Sequence, residues 1–239
     1  MSPPDESRAR HLVHLVIAID GPAASGKSST AQWVARQLGC RHVDSGSIYR
    51  AATAAALRAG GSPEGWTAED VLRAARIVSL EPQQTSFVPT LEGVDAAGEI
   101  RSAPVTAAVS RVARMGPVRE WVNGQVIAIA RAHEVVVDGR DIGTAVLPDA
   151  PLKIWLVADP WERARRRLIQ RLSRHPTDED VAEETDRLVR RDALDATQTV
   201  PAPDAVLIDT TYLTQEEQVE RIVALAKAVT QRASETSAG

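Results

Sequence analysis

One octapeptide constrains this 239-residue chain more than anything else in it: Gly21-Pro22-Ala23-Ala24-Ser25-Gly26-Lys27-Ser28. It satisfies the pattern Gly-x-x-x-x-Gly-Lys-Ser in full. Before it, residues 12–20 form an apolar run ending in Asp20, the mark of a strand buried on both faces. After it, Ala31, Val34, Ala35 and Leu38 recur at helical spacing, and Gly39 follows as a stop. A loop leaving a strand and opening a helix is the setting this motif needs. The glycines let backbone N–H groups turn inward around anionic oxygens, and the helix N-terminus adds partial positive charge. Lys27 then reaches the β- and γ-phosphates of a nucleoside triphosphate, and the Ser28 hydroxyl faces Mg²⁺, with Ser29 closing the loop. A chance Gly-rich turn is the competing reading, and the flanking strand and helix weigh against it. The loop specifies ATP-type binding; it does not specify what receives the phosphate.

The remaining pattern alternates. Short apolar runs at 135–138, 152–158 and 205–209 read as strands, and 41–44 as a short second strand. Amphipathic stretches at 48–59, 118–131, 161–172, 177–191 and 214–230 read as helices. This predicts an α/β protein of P-loop NTPase type, with a doubly wound, five-stranded parallel sheet covered on both faces. Its core would comprise residues 12–61, 118–160 and 203–232. Residues 62–117 differ in texture: a helix at 68–78, then a Pro-, Gly- and Thr-bearing stretch at 81–98 suited to a hairpin. Few large apolar side chains lie there, so it reads as an insertion and not an independent domain. Residues 1–11 and 233–239 read as frayed tails, the first lacking the apolar centre of a signal peptide.

Composition narrows the partners. Net charge is −4, which argues against a nucleic-acid binder, and no apolar run is long enough to cross a membrane. Cys40 is the single cysteine, so no disulfide framework or cysteine-based zinc site is possible within the chain, and a reducing, cytoplasmic setting is the simplest reading. Cys40 itself is expected to be a small buried hydrophobe. Trp33, Trp66, Trp121, Trp155 and Trp161 are scattered and read as packing.

In a doubly wound sheet the carboxyl ends of neighbouring strands line one crevice. The segments Asp44-Ser45-Gly46-Ser47-Ile48-Tyr49-Arg50 and Asp138-Gly139-Arg140-Asp141 end two strands and so bring Arg50 and Arg140 opposite Lys27. These segments, with Ile19-Asp20-Gly21-Pro22, Gly139-Arg140-Asp141-Ile142-Gly143-Thr144 and Pro148-Asp149-Ala150-Pro151, resemble the bacterial cytidylate kinases. Gly98-Glu99-Ile100-Arg101 and Arg191-Asp192 through Asp195 extend the resemblance, which spans roughly residues 16–211. It implies a P-loop core with an acceptor-binding insertion at 62–117 and a mobile helical lid at 161–202. It implies transfer of the γ-phosphoryl of ATP to CMP or dCMP with Mg²⁺, in a monomer. It implies that Ser45, Arg50 and Arg140 hold the acceptor phosphate, that Ser110, Arg119 and Asp141 read cytosine, that Arg191 clamps the transferring group and that Asp195 meets the acceptor sugar. Lys27, Arg140 and Arg191 are then the catalytic set.

The chemistry of those residues agrees. A carboxylate accepts from the exocyclic amine of cytosine and repels the oxygen uracil carries there. The acceptor phosphate is largely ionised near neutral pH, so no general base is needed. Arg101 reads either as a residue positioning the insertion against the acceptor or as surface. Arg163, Arg165, Arg166, Arg167, Arg171 and Arg174 crowd one segment, either a solvated basic helix or lid arginines closing over ATP, with Arg163 and Arg167 best placed one turn apart. The acidic set Asp178, Glu179, Asp180, Glu183 and Glu184 reads as a solvated face. The chain departs from the resemblance at Gln198, where an arginine is usual, and at Val94, where an acid is usual, which predicts a loosened hold on the acceptor. Two other functions stay open at this point: a related kinase with another acceptor such as UMP, and a nucleotide sensor without turnover.

Overall fold

The computed structural model describes residues 15–172, 174–196 and 199–238, apart from the side chains of residues 194, 195 and 236–238. The tail expected at 1–11 and Gln198 lie outside the described residues. Strand β1 (Val16–Asp20) is central, flanked by β6 (Val135–Asp138) and β7 (Leu152–Val157). β2 (Arg41–Asp44) and β8 (Val206–Asp209) form the edges, giving the order β2-β6-β1-β7-β8 with every pairing parallel. Alternate side chains on each strand serve opposite layers. Ala18, Val43, Val135 and Val137 pack with α2 (Ser45–Ala59) and α5 (Gly116–Ala132). Ile17, Ile19, Val136 and Ile154 pack with α1 (Lys27–Leu38) and α8 (Gln215–Ala238). The doubly wound, five-stranded parallel sheet is therefore present as expected.

Several boundaries move for identifiable reasons. α2 starts at Ser45, earlier than its apolar pattern begins, because the Asp44 carboxylate accepts from the Ser47 N–H at 3.1 Å and caps the helix. The helix expected at 68–78 is shorter: α3 (Ala68–Ala74) tightens into a 3₁₀ turn at Ala75–Ile77, and Val78 then pairs with Leu91. The expected hairpin is a three-stranded antiparallel sheet of β3 (Val78–Pro82), β4 (Phe87–Leu91) and β5 (Val94–Asp95). Helix α4 (Ala103–Val112) has no counterpart in the sequence reading, although Val105, Ala108, Val109 and Val112 recur at helical spacing and Pro104 stands in its first turn, where proline is favoured. Residues 233–238 continue α8 and are not a tail. Gln231 Nε2 bonds to Glu235 Oε1 at 3.3 Å and Ser234 Oγ to the Thr230 carbonyl at 3.0 Å, both at helical spacing.

The insertion shares the protein's core. Val71, Ala75, Phe87 and Val112 join the layer beneath α2 and α5, while Leu91, Ile100 and Val105 pack on Ala51, Ala54 and Ala55 of α2. It also extends the sheet edge: the His42 N–H donates to the Thr85 carbonyl at 2.9 Å, and Arg41 Nε to the Gln83 carbonyl at 3.1 Å. α6 (Pro160–Arg171) and α7 (Asp178–Asp195) pair through Ala164, Leu168, Val181 and Leu188, a cluster that includes Ala23 of the phosphate loop. Among the tryptophans, Trp66 and Trp155 are buried as packing residues; Trp33 and Trp161 are instead exposed, lying on the outer sides of α1 and α6. Cys40 is buried, as expected. Among the described residues, no helix is long and apolar enough to cross a membrane.

Two glycines separate conformational freedom from close approach. Gly21 (φ +149°) lies so near β7 that a Cβ there would collide with the Leu156 carbonyl, whereas Gly39 (φ +71°) ends α1 with open space around it. Gly39→Ala is expected to cost about 1 kcal/mol of stability, from the left-handed backbone alone. Gly21→Ala is expected to cost at least ~2 kcal/mol more, since β7 must shift. Urea denaturation of the two variants, compared with the parent, measures both; equal losses would remove the close-approach argument.

Candidate active site

The loop delivers its chemistry through α1. Gly26 takes a left-handed conformation (φ 90°), no side chain caps the helix, and so its first N–H groups remain available to an anion. Ala24 is also left-handed (φ 58°), an uncommon conformation for a residue with a Cβ and one that curls the loop. Lys27 Nζ folds back onto the Pro22 carbonyl at 2.8 Å. Burial and the neighbouring Arg140 pull its ammonium down to about 8, against the opposing pull of Asp138, Asp20 and Asp44. Ser28 Oγ donates to Asp138 Oδ2 at 2.6 Å. Ser29, expected at the nucleotide, bonds to the Gly26 carbonyl at 2.9 Å and to Gln215 Oε1 at 3.1 Å, bracing α1 against α8.

Three carboxylates gather where β1, β2 and β6 end. The second oxygen of Asp138 lies 2.6 Å from His42 Nε2. Asp44 is driven up by burial and then by the Asp138 charge beside it. Asp20 accepts from the N–H groups of Ile142 and Gly143, at 2.9 and 2.7 Å. Those bonds anchor a π-helical turn, Ile142–Val146, against the end of β1. Such turns recur at functional sites because they re-aim the residues around them. Here the turn presents Asp141, which pairs with Arg119 of α5. Sequence reasoning misses Asp20, His42 and Asp138 as site residues. For Asp20 and Asp138 the available signal is an apolar strand that ends in a carboxylate; for His42 there is none, since its contact depends on how β2 registers against β6.

Two clefts meet at this corner. One, of about 210 Å³, is lined by Ser45, Tyr49, Ser110, Arg119, Arg140 and Asp141, bringing most of the expected acceptor set together. The other, of about 620 Å³, runs over the loop from Ala24 to Ser29 beneath Arg166 and Arg167. Lys27, Ser28, Arg50 and Arg191 line both. Arg101 lines the larger cleft and not the acceptor side. Asp195 ends α7, but its side chain is not among those described.

Arg163 does not face either cleft. It is 4% exposed and donates to the carbonyls of Ala158 and Ala23, at 3.1 and 2.8 Å, and to Asp192 at 2.6 Å. Asp192 in turn accepts the Ala23 N–H at 3.1 Å, so the pair clasps one loop residue from both sides. The sequence places Arg163 and Arg167 on the same face one turn apart, but only Arg167 reaches a cleft. The acidic face is likewise not wholly solvated: Glu184 is 3% exposed and pairs with Arg167, Arg171 and Arg187, because α6 packs its basic side onto α7.

A phosphate loop flanked by a cationic cleft and joined to a second cleft by Lys27, Arg50 and Arg191 is the site of a P-loop phosphotransferase. The chain belongs to the cytidylate kinase family, whose pattern it matches over residues 17–228. It is 43% identical over 217 residues to the cytidylate kinase of Mycolicibacterium paratuberculosis, covering 87% of this chain and 93% of the relative. It is 44% identical over 212 residues to that of Geobacillus kaustophilus, covering 87% and 94%. For the enzyme of Nocardia farcinica the figures are 41% over 231 residues, 94% and 97%.

Asp20 makes a pH dependence testable. Burial raises its carboxyl from 3.8 to about 6, despite the two N–H bonds it accepts. Below the unfolded value the group is neutral in both states and costs nothing; above the folded value the full penalty for burying its charge is present. Its contribution to stability therefore falls as pH rises from about 4 to 6. Asn cannot titrate, so the stability of the parent relative to Asp20→Asn should decline across that window, by up to roughly 3 kcal/mol. Urea unfolding of both proteins at about pH 4 and about pH 7 checks this; a difference independent of pH would mean that Asp20 is not perturbed.

Proposed function

We propose that the chain transfers the γ-phosphoryl group of ATP to CMP or dCMP. The observation that carries this reading is the meeting of the two clefts at Lys27, Ser28, Arg50 and Arg191, with the Asp141–Arg119 pair at the far side of the smaller one. ATP lies along the loop with its β- and γ-phosphates against the α1 N-terminus and Lys27, under Arg167. The acceptor enters the smaller cleft, its phosphate toward Arg50 and Arg140 and its base toward Asp141, Arg119 and Ser110. Asp141 accepts from the cytosine amine and repels the uracil oxygen at the same position. Because Arg119 already holds Asp141, the carboxylate is oriented before the base arrives.

Mg²⁺ suits this corner. The oxygens that would face it are the Ser28 hydroxyl, with Asp138 against it, and Asp44 buried beside Asp138, while His42 Nε2 and Lys27 Nζ are turned to Asp138 and to the Pro22 carbonyl. A hard cation that keeps waters and phosphate oxygens needs no more from the protein. When bound with ATP it supplies neutralisation of phosphate charge. The chain's own residues do the rest: Lys27 and the arginines gather the two anions, and the α6–α7 pair excludes water above the loop. Positioning and charge are sufficient for an acceptor already ionised. Both clefts lie within one chain, so a monomer holds the whole site. The insertion at 62–117 then serves the acceptor and residues 161–202 the donor.

Release of ADP, followed with Mg-ATP and a panel of nucleoside monophosphates, tests the assignment. Turnover is expected with CMP and dCMP and much less with UMP. Lys27→Met should lower kcat by about 10²–10³, the usual effect of losing one fixed charge-stabilising group. Asp141→Asn should shrink the ratio of kcat/KM for CMP over UMP by about 10- to 100-fold, because the amide can offer either group to the base. No transfer to any monophosphate would overturn the reading, and an unchanged ratio would remove Asp141 from base recognition.

A further inference from the structure

We propose that His42 is a positioning residue for the phosphate loop, acting through Asp138 on the hydroxyl of Ser28. The inference rests on the phosphotransferase reading of the site. Three groups form an unbroken chain: Ser28 Oγ donates to Asp138 Oδ2 at 2.6 Å, and Asp138 Oδ1 lies 2.6 Å from His42 Nε2. Asp138 is 3% exposed and His42 8%, so water does not stand in for either partner. A carboxylate has a broad, two-fold torsion about its last bond. With a partner on one oxygen only, Asp138 could turn, and the like charge of Asp44 next to it favours turning. His42 occupies the other oxygen and removes that freedom. The direction in which Ser28 points then follows from where His42 stands.

His42 is itself held from two sides. Its strand pairs in register with β6, His42 opposite Val136 and Asp44 opposite Asp138. Its N–H is taken by the Thr85 carbonyl of the insertion at 2.9 Å, and the preceding Arg41 bonds to Gln83 at 3.1 Å. The backbone that carries the ring therefore cannot retreat from Asp138 without breaking the edge of the sheet. One residue joins the segment assigned to the acceptor, through its backbone, to the loop assigned to the donor, through its side chain. A residue that only filled space at this place would need neither the donor nitrogen nor its alignment on the carboxylate.

Two substitutions of similar size divide these roles. His42→Gln keeps an N–H donor at nearly the reach of Nε2; His42→Met fills the space without one. Calorimetry of ATP binding, with and without Mg²⁺ and without acceptor, is the primary readout. His42→Met should lose about 10-fold or more of the affinity that Mg²⁺ adds to ATP, the usual scale for removing a group that orients a metal-facing residue. It should also lower kcat by a similar factor while leaving the KM for CMP within about 2-fold. His42→Gln should stay within about 3-fold of the parent in all of these. In a Ser28→Ala background, His42→Met should add little further loss, because its route of action is already cut. If His42→Met does not fold, His42→Asn, whose amide falls short of Asp138, is judged by the same criteria. Parent-like Mg-ATP affinity in His42→Met, equal damage from Gln and Met, or full additivity with Ser28→Ala would each overturn the proposal. Failure of the functional reading shows differently: the parent would bind Mg-ATP yet phosphorylate no monophosphate, and the calorimetry would still decide the role of His42.

Discussion

The site depends on one carboxylate, Asp138, and on how its neighbours satisfy it. Its side chain takes Ser28 on one oxygen and His42 on the other, and its own carbonyl accepts the Ser45 hydroxyl at 2.8 Å. Ser28 belongs to the phosphate loop, Ser45 opens α2 and His42 lies in the strand that the insertion covers. A buried charge is tolerated only when partnered, and here its two partners come from different parts of the chain, with a third part held on the same residue's carbonyl. Gly139 follows at once, where a Cβ would crowd Ser45 and Ile142. The close fit of β6 against α2 and the π-helical turn is thus built around the same point.

Around that point, opposite charges are packed out of water in numbers that neither sign could sustain alone. Burial pulls Lys27 down and pushes Asp20 and Asp44 up; the carboxylates of Asp138, Asp20 and Asp44 partly restore Lys27, the Gly143 and Ile142 N–H groups and Lys27 partly restore Asp20, and His42, the Ser47 N–H and Arg101 partly restore Asp44. The arrangement holds its dipoles and charges in place before any ligand arrives, which is the condition under which electrostatic stabilisation of a transferring phosphoryl group is most effective. It also explains why β1 and β6 carry nothing but Val, Ile and Ala up to their last residue, an aspartate in each. The hydrophobic length supplies stability, and the carboxyl ends are left for chemistry.

Much of this is legible in the amino-acid order, and the limits have physical causes. The loop and the five strands are read correctly because their patterns are local: a glycine-lysine spacing, or a short apolar run. Arg50, Ser45, Arg140 and Asp141 fall in one cleft because strand ends in such a sheet converge. Helix α4 is legible in principle, since Val105, Ala108, Val109 and Val112 keep helical spacing behind a first-turn proline, but its small side chains make a weak stripe inside a segment of loop-like texture. Arg163 is read as a lid arginine over ATP and Glu184 as solvated because charge and helical spacing say nothing of the α6–α7 contact, which buries both and gives Arg163 to Asp192 and Glu184 to Arg167. His42 is invisible because its meaning lies in register. A shift of one residue between β2 and β6 would turn its ring to the opposite face of the sheet.

The clasp on Ala23 has a mechanical corollary. Arg163 and Asp192 hold that residue by its carbonyl and its N–H, and Ala23 also sits in the apolar cluster between α6 and α7. The two helices are therefore fastened to the loop near the start of α6, and any swing they make has its fulcrum there. Along a helix each residue adds 1.5 Å of arm. Arg167, four residues on, lies about 6 Å out and describes a short arc, whereas Arg171 and the turn beyond it sweep roughly twice as far. A pair of helices hinged in this manner would hold Arg167 nearly in place over the phosphate loop and displace the far end of α6 the most.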